Sequence, residues 1–224
     1  MDRSIRVADP LSIGDLITYL GRAGRVEDGS VRLVAGSGVL AVYTAVLYPA
    51  GILDEGHTVL GLRTLALADQ AEFDAVVPVR SLLDRLQRAQ QASDDGQAPS
   101  IAVPTEVSTV TWAGISPPRG GWKRIGSTTG AALETAARAG VDAVANALPE
   151  GTGEHIVRRV RSEIWGRPIE GVDLPAGAGF AAWSLGFLGD PAEEIPVFEA
   201  GAWTRITSRR GHVLVRRRPW SLLG

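Results

Sequence analysis

The chain has 224 residues, of which 45% are hydrophobic and 21% charged, with a formal net charge of −2. That length and apolar content can build one large domain or two small ones around a sizeable core, and the near-neutral balance argues against a dedicated nucleic-acid binder. There is no cysteine, and the only histidines are His57, His155 and His212, so disulfides, thiolate metal sites and cysteine nucleophiles are excluded and neither a metal nor a cofactor is expected.

No early basic-then-apolar segment reads as a signal peptide, and no run of about 18 uncharged apolar residues could span a membrane. Cytoplasmic is the default expectation. Residues 1–112 carry 9 basic and 14 acidic groups, residues 113–224 carry 14 basic and 11 acidic groups, and all six tryptophans, Trp112 to Trp220, lie at or beyond that boundary. The halves therefore differ in chemistry. Lys123 is the only lysine beside 22 arginines, so individual arginines are weighed with caution.

Asp9-Pro10 reads as a turn into a helix with Ser12 as its cap, Asp15 in its first turn, and Leu16, Ile17 and Leu20 as an apolar stripe ending at Gly21 or Gly24. Val31–Ala35 is a predicted strand. Gly36-Ser37-Gly38 is a sharp turn, and Val39–Tyr48 is a second strand with apolar residues on both faces, as in a central strand. Thr58–Leu67 is a third strand. Phe73–Val79 is a fourth, which Pro78 keeps from a central position. Ser81–Gln91 is a helix with a cap pattern at Ser81 and Asp84, facing inward with Leu82, Leu83 and Leu86. Residues 92–100 are polar and carry Gly and Pro, as a linker or surface loop does.

Ile101–Val103 adds a brief predicted strand, and Val107–Trp112 alternates like a half-buried one. Pro117-Pro118-Arg119-Gly120-Gly121-Trp122 is a turn. A helix is predicted from Ser127 or Thr128 to Leu148, with Leu133, Ala137, Val141, Val144 and Leu148 on one face and a cost or a break at Gly140. A second runs from Glu154 to Trp165, with Ile156, Val157, Val160 and Ile164 on one side. Ala176–Leu188 is an apolar helix weakened by Gly177, Gly179 and Gly186. Ile195–Phe198, Ala202–Thr207 and His212–Arg218 are strands, the last two joined as a hairpin by Ser208-Arg209-Arg210-Gly211. No repeat is visible.

These elements predict an α+β fold: a mostly antiparallel N-terminal sheet, a helical middle and a C-terminal hairpin that can return to the sheet. The matching division is a strand-rich acidic subdomain over 1–92, a linker over 93–100, and a Trp/Arg-rich subdomain over 101–224. A single compact domain fits the pattern equally well.

Candidate chemistry is sparse. Arg119, Trp122, Lys123 and Arg124 place cations beside an aromatic in a loop shaped by prolines and glycines, a composition that binds an anionic planar ligand or a protein partner. The bland alternative is a tight turn with Trp122 folded onto the core. Trp203 and Arg205 extend the same chemistry into the hairpin, whose arginines read either as a docking patch or as a solvated edge that resists edge-to-edge pairing. Ser127 and Thr128, at the expected start of a helix, form an anion-site candidate against the simpler reading of a helix cap. No GxSxG signature or phosphate loop appears, and each histidine lies where surface histidines commonly do. Ala136–Leu148 superficially resembles a helix-turn-helix about Gly140, but the helix that follows presents Asp142, Ala143 and Asn146 with no Arg or Lys before Arg158, so that face neutralises no phosphate.

The function expected is therefore a non-catalytic binding or assembly protein with an Arg/Trp-bearing surface and a protein partner or second copy. A small enzyme acting on an anionic small molecule is the first alternative, and a nucleic-acid-associated protein, which the charge disfavours, the second.

Overall fold

The computed structural model describes residues 3–27, 29–49, 56–92, 99–107, 110–114, 116–149 and 151–216. The chain divides into two compact units, Met1–Ala45 with Leu62–Ile115, and Val46–Gly61 with Ser116–Gly224. The fold is α+β, with antiparallel ladders in both units.

In the first unit, β1 (Ser4–Ile5) precedes α1 (Leu11–Val26). The Asp9 carboxylate, not Ser12, takes the orphan N–H of Leu11 at 3.0 Å, because the helix starts at Leu11 and puts Ser12 inside it. α1 continues through Gly21 and Gly24 to Val26. Ile13, Leu16, Tyr19, Leu20 and Ala23 form its buried stripe, and burial of that stripe outweighs two glycines at about 1 kcal/mol each. β2 (Ser30–Gly36) and β3 (Val39–Leu47) form a hairpin in register Gly36↔Val39. Its turn holds Ser37 at φ 53° and Gly38 at φ 73°, the backbone that a two-residue hairpin with right-handed twist requires.

β3 buries Leu40, Val42 and Thr44 on one face while Ala41 and Tyr43 stay half-buried. Two-sided burial begins only at Ala45, later than the expected central strand implies. β4 (Thr58–Ala66) is buried at every position from Thr58 to Leu62. β5 (Phe73–Pro78) has β2 as its one strand neighbour among the described residues, and the order runs β5-β2-β3 and on to β4, of which residues 62–66 belong to this unit and 58–61 to the second. Pro78 thus stands at the end of an edge strand, as expected. α2 (Val79–Gln91) begins two residues before Ser81, with Pro78 as its cap residue and no side-chain cap. Val79, Leu82 and Leu86 are its buried face.

β6 (Ile101–Ala102) pairs with β1 in a separate two-stranded sheet. The strand expected over Val107–Trp112 is not formed among its described residues. Thr111–Gly114 is a 3₁₀ turn that buries Trp112, and Val107 N–H donates to Val76 O at 2.8 Å. Arg32 holds this segment by a bidentate pair with Asp74 (2.8 and 2.6 Å) and a bond from Nη1 to Ala113 O at 2.8 Å. The predicted linker falls almost wholly on residues 93–98, outside the described residues.

In the second unit, β7 (Lys123–Thr129) leads into α3 (Gly130–Ala147), then α4 (Glu154–Trp165), α5 (Ala176–Ser184), β8 (Glu194–Ala200), β9 (Trp203–Ser208) and β10 (Gly211–Arg216). The order is β4-β10-β9-β8-β7, so the hairpin β9–β10 does join a strand from the N-terminal half. Leu133, Ala182 and Phe187 meet Ile195, Ile206 and Val213 around one small void; α3 and α5 therefore cover the inner face of this sheet. Two glycines permit the helix packing. A Cβ on Gly179 would lie 2.6 Å from Leu133 O, and one on Gly140 only 2.1 Å from Cζ3 of Trp165. Gly140 is a seat for an indole rather than a helix break. The indole also stacks on Phe180 at 4.3 Å. The face of α3 is accordingly Gly130, Leu133, Ala137 and Gly140, with Val141 37% exposed.

Candidate contact surface on the second unit

The inner face of this sheet carries Ile195, Val197, Ile206 and Val213. Strand alternation sends Phe198, Trp203, Arg205 and Thr207 to the outer face. The register sets Arg124 opposite Phe198, and Phe198 opposite Arg205, so one row of outer-face residues crosses β7, β8 and β9. The Arg205 guanidinium carbon lies 4.5 Å from the centroid of the Trp122 ring and 4.9 Å from that of Phe198, within the range where a ring quadrupole attracts a cation. Trp122 is half-buried and fixed in turn by a bond from Nε1 to Pro118 O at 3.1 Å. Arg124 pairs with Glu194.

The sequence-predicted residues thus separate. Trp122, Arg124 and Arg205 converge on one row. Trp203 neighbours them on β9 and is 5% exposed. Arg119 and Lys123 are exposed, Lys123 opposite Glu199 on β8. Ser127 and Thr128 do not stand at a helix start: both lie inside β7. The cap is Thr129, whose Oγ1 accepts from Ala132 N–H at 3.2 Å, while Gly130 N–H and Ala131 N–H donate to Glu193 O and Pro191 O. The chain itself thus occupies the first amides of α3 that an anion would need.

Phe198 escaped the sequence reading as a site residue, although the alternation of β8 carries it; only the pairing register shows that it meets Arg205. The edge strand β7 carries no strand signal in the sequence. Six of its seven residues are exposed, so it lacks the apolar alternation by which strands are recognised. β8 is its one strand neighbour among the described residues, and a bulge at Ile125, 51% exposed, interrupts their register.

Burial pulls the pKa of Arg205 below the ordinary guanidinium value. Beside the row, Asp190, Glu193, Glu194, Pro196, Thr207 and Arg209 line a depression of about 520 Å³, where Glu193 accepts from Arg209 N–H at 3.0 Å. His212 Nδ1 lies 3.0 Å from Thr207 Oγ1, and His155 is exposed on α4. No group of three or more His, Asp or Glu side chains among the described residues has metal-site geometry. No described helix is long and apolar enough to cross a membrane.

An α+β chain with antiparallel ladders and helices packed on them has solved counterparts. The fold is similar to that of a DnaN sliding clamp (DNA polymerase III subunit beta) from Bartonella birtlesii, at 13% identity and a TM-score of 0.52, covering 99% of this chain and 66% of that one. It is also similar to pol III beta of Caulobacter crescentus, at 11% identity and a TM-score of 0.50, with 99% and 66% covered. The likeness is one of fold, and the chain spans 66% of the length of each clamp. The chain belongs to the family described as a domain of unknown function (DUF8010), whose model matches residues 1–113. A second model, also described as a domain of unknown function (DUF8185), matches residues 117–220. No curated protein matches the sequence.

Proposed function

We propose that this chain is a non-catalytic assembly protein that joins a second copy of itself through the open edge of β7 and the outer face beside it. The observation that carries this reading is β7 itself, a seven-residue strand with one strand neighbour among the described residues and six exposed positions. An unpaired strand edge is a template for another strand. The other edge strand, β5, is engaged by its own unit, since Val76 O already accepts from Val107 N–H. Lys123, Arg124 and the bulge at Ile125 limit indiscriminate pairing, which suits a specific partner. The fold supports the same class, because the clamps it resembles are named as a polymerase subunit.

The test is sedimentation velocity across a concentration series, with Ile125→Lys as the variant. The substitution adds a charge to an already exposed bulge, so the fold is retained. Wild type is expected to associate with rising concentration and the variant to remain monomeric. A wild-type chain that stays monomeric throughout, or a variant that associates as wild type does, overturns the reading.

A further inference from the structure

Among the described residues, Arg205 forms no ion pair, unlike Arg32, Arg63 and Arg124. Its Nε is buried and makes no hydrogen bond among the described residues, while the residue as a whole is only half-buried. Burial lowers its pKa, whereas at Arg32 the side-chain bond to Asp74 raises it. The neighbouring cation, Arg124, is taken by Glu194. What holds the Arg205 group in place is two rings, Trp122 and Phe198. They fix its orientation without neutralising its charge.

We propose that the solvent-facing edge of the Arg205 guanidinium seats a carboxylate supplied by a protein partner, with Trp122 and Phe198 as the apolar walls of the pair. The planar fork of a guanidinium matches a carboxylate in two parallel hydrogen bonds. Partial desolvation strengthens such a pair relative to a fully exposed one. A polyanion fits less well. Asp190, Glu193 and Glu194 in the adjoining depression repel a chain of phosphates, whereas a single carboxylate meets only the Arg205 fork. The source of the carboxylate, though not the chemistry of its seat, rests on the assembly reading above.

The experiment is an NMR titration of the full chain with N-acetylglutamate N-methylamide, with sodium chloride at matched ionic strength as the blank and inorganic phosphate as the competing anion. The Arg205 Nε–H and Trp122 Nε1–H resonances are expected to shift saturably with the glutamate derivative. Arg205→Lys keeps a cation over the rings and loses the fork, and weakens the response by about fivefold or more. Arg159→Gln, on the exposed side of α4, leaves it unchanged. An equal shift with chloride, tighter saturation by phosphate, or an undiminished response in Arg205→Lys overturns the proposal. A monomeric protein that still binds the glutamate derivative would count against assembly through β7 alone. An associating protein with no such response would count against the carboxylate seat alone.

Discussion

Tyr19 shows how one buried hydroxyl fixes a helix on a sheet. Its Oη lies 2.8 Å from Thr44 Oγ1 and 3.4 Å from Val42 O, so both buried hydroxyls are satisfied where α1 meets β3. Burial pushes its pKa well above the ordinary tyrosine value. An unfolded tyrosine loses its proton near pH ~10, whereas the folded one holds it to higher pH. The stabilisation is therefore complete below about pH 10 and is lost as pH rises from there through the folded value. Chemical denaturation of wild type should show this alkaline decline, and Tyr19→Phe should flatten it while costing about 1 kcal/mol at neutral pH for the bond lost to Thr44. An alkaline limb that is equally steep in the variant would assign the decline to other groups. Gly140 makes the opposite point about substitution. Alanine there gains about 1 kcal/mol of helix propensity but drives a methyl into the Trp165 ring, 2.1 Å from Cζ3, where overpacking costs about 1–3 kcal/mol. Gly140→Ala is expected to lower the unfolding midpoint, and a raised midpoint would show that the indole yields.

At the scale of elements, patterning found what burial imposes on sequence. β2, β5 and the amphipathic α2 bury one face and so write a period into the chain, while β4 and β10 bury consecutive residues and stand out as apolar runs; of the face expected on α4, Ile164 is buried and Ile156 is 56% exposed. The same logic explains the failures. The run KRIGSTT of β7 faces solvent on both sides and carries no period, and its Gly and Thr residues read as a helix cap. Val107–Trp112 has the period of a strand, but Trp112 is buried by a single 3₁₀ turn. Gly177, Gly179 and Gly140 lowered the expected helicity of α5 and α3 because composition shows the loss of propensity and not the neighbour that needs the space. The candidate site was half legible. Trp122, Arg124 and Arg205 stand out by chemistry, but their convergence depends on a register that pairs Arg205 with Phe198, which no local pattern states.

On the scale of the whole molecule, the two family matches meet between residues 113 and 117, yet the second compact unit also contains Val46–Gly61. β10 therefore finds its neighbour β4 in a segment far upstream. A fragment of residues 116–224 lacks that neighbour, leaving an apolar strand in which Val213, Leu214 and Val215 are otherwise 1% exposed. It is expected to associate or to unfold non-cooperatively, as measured by gel filtration and thermal circular dichroism. A monomeric fragment with a cooperative transition would show that 116–224 suffices.

Lys123 opens the edge strand and is the only lysine in the chain. Apart from the terminal amine, it is the one primary amine that an activated ester can acylate. A dye or biotin attached in this way reports on a single defined strand without any engineered cysteine. A short bis-ester has no second lysine to reach within one chain, so a lysine-to-lysine bridge recovered after digestion joins two chains and places their β7 strands within the length of the linker.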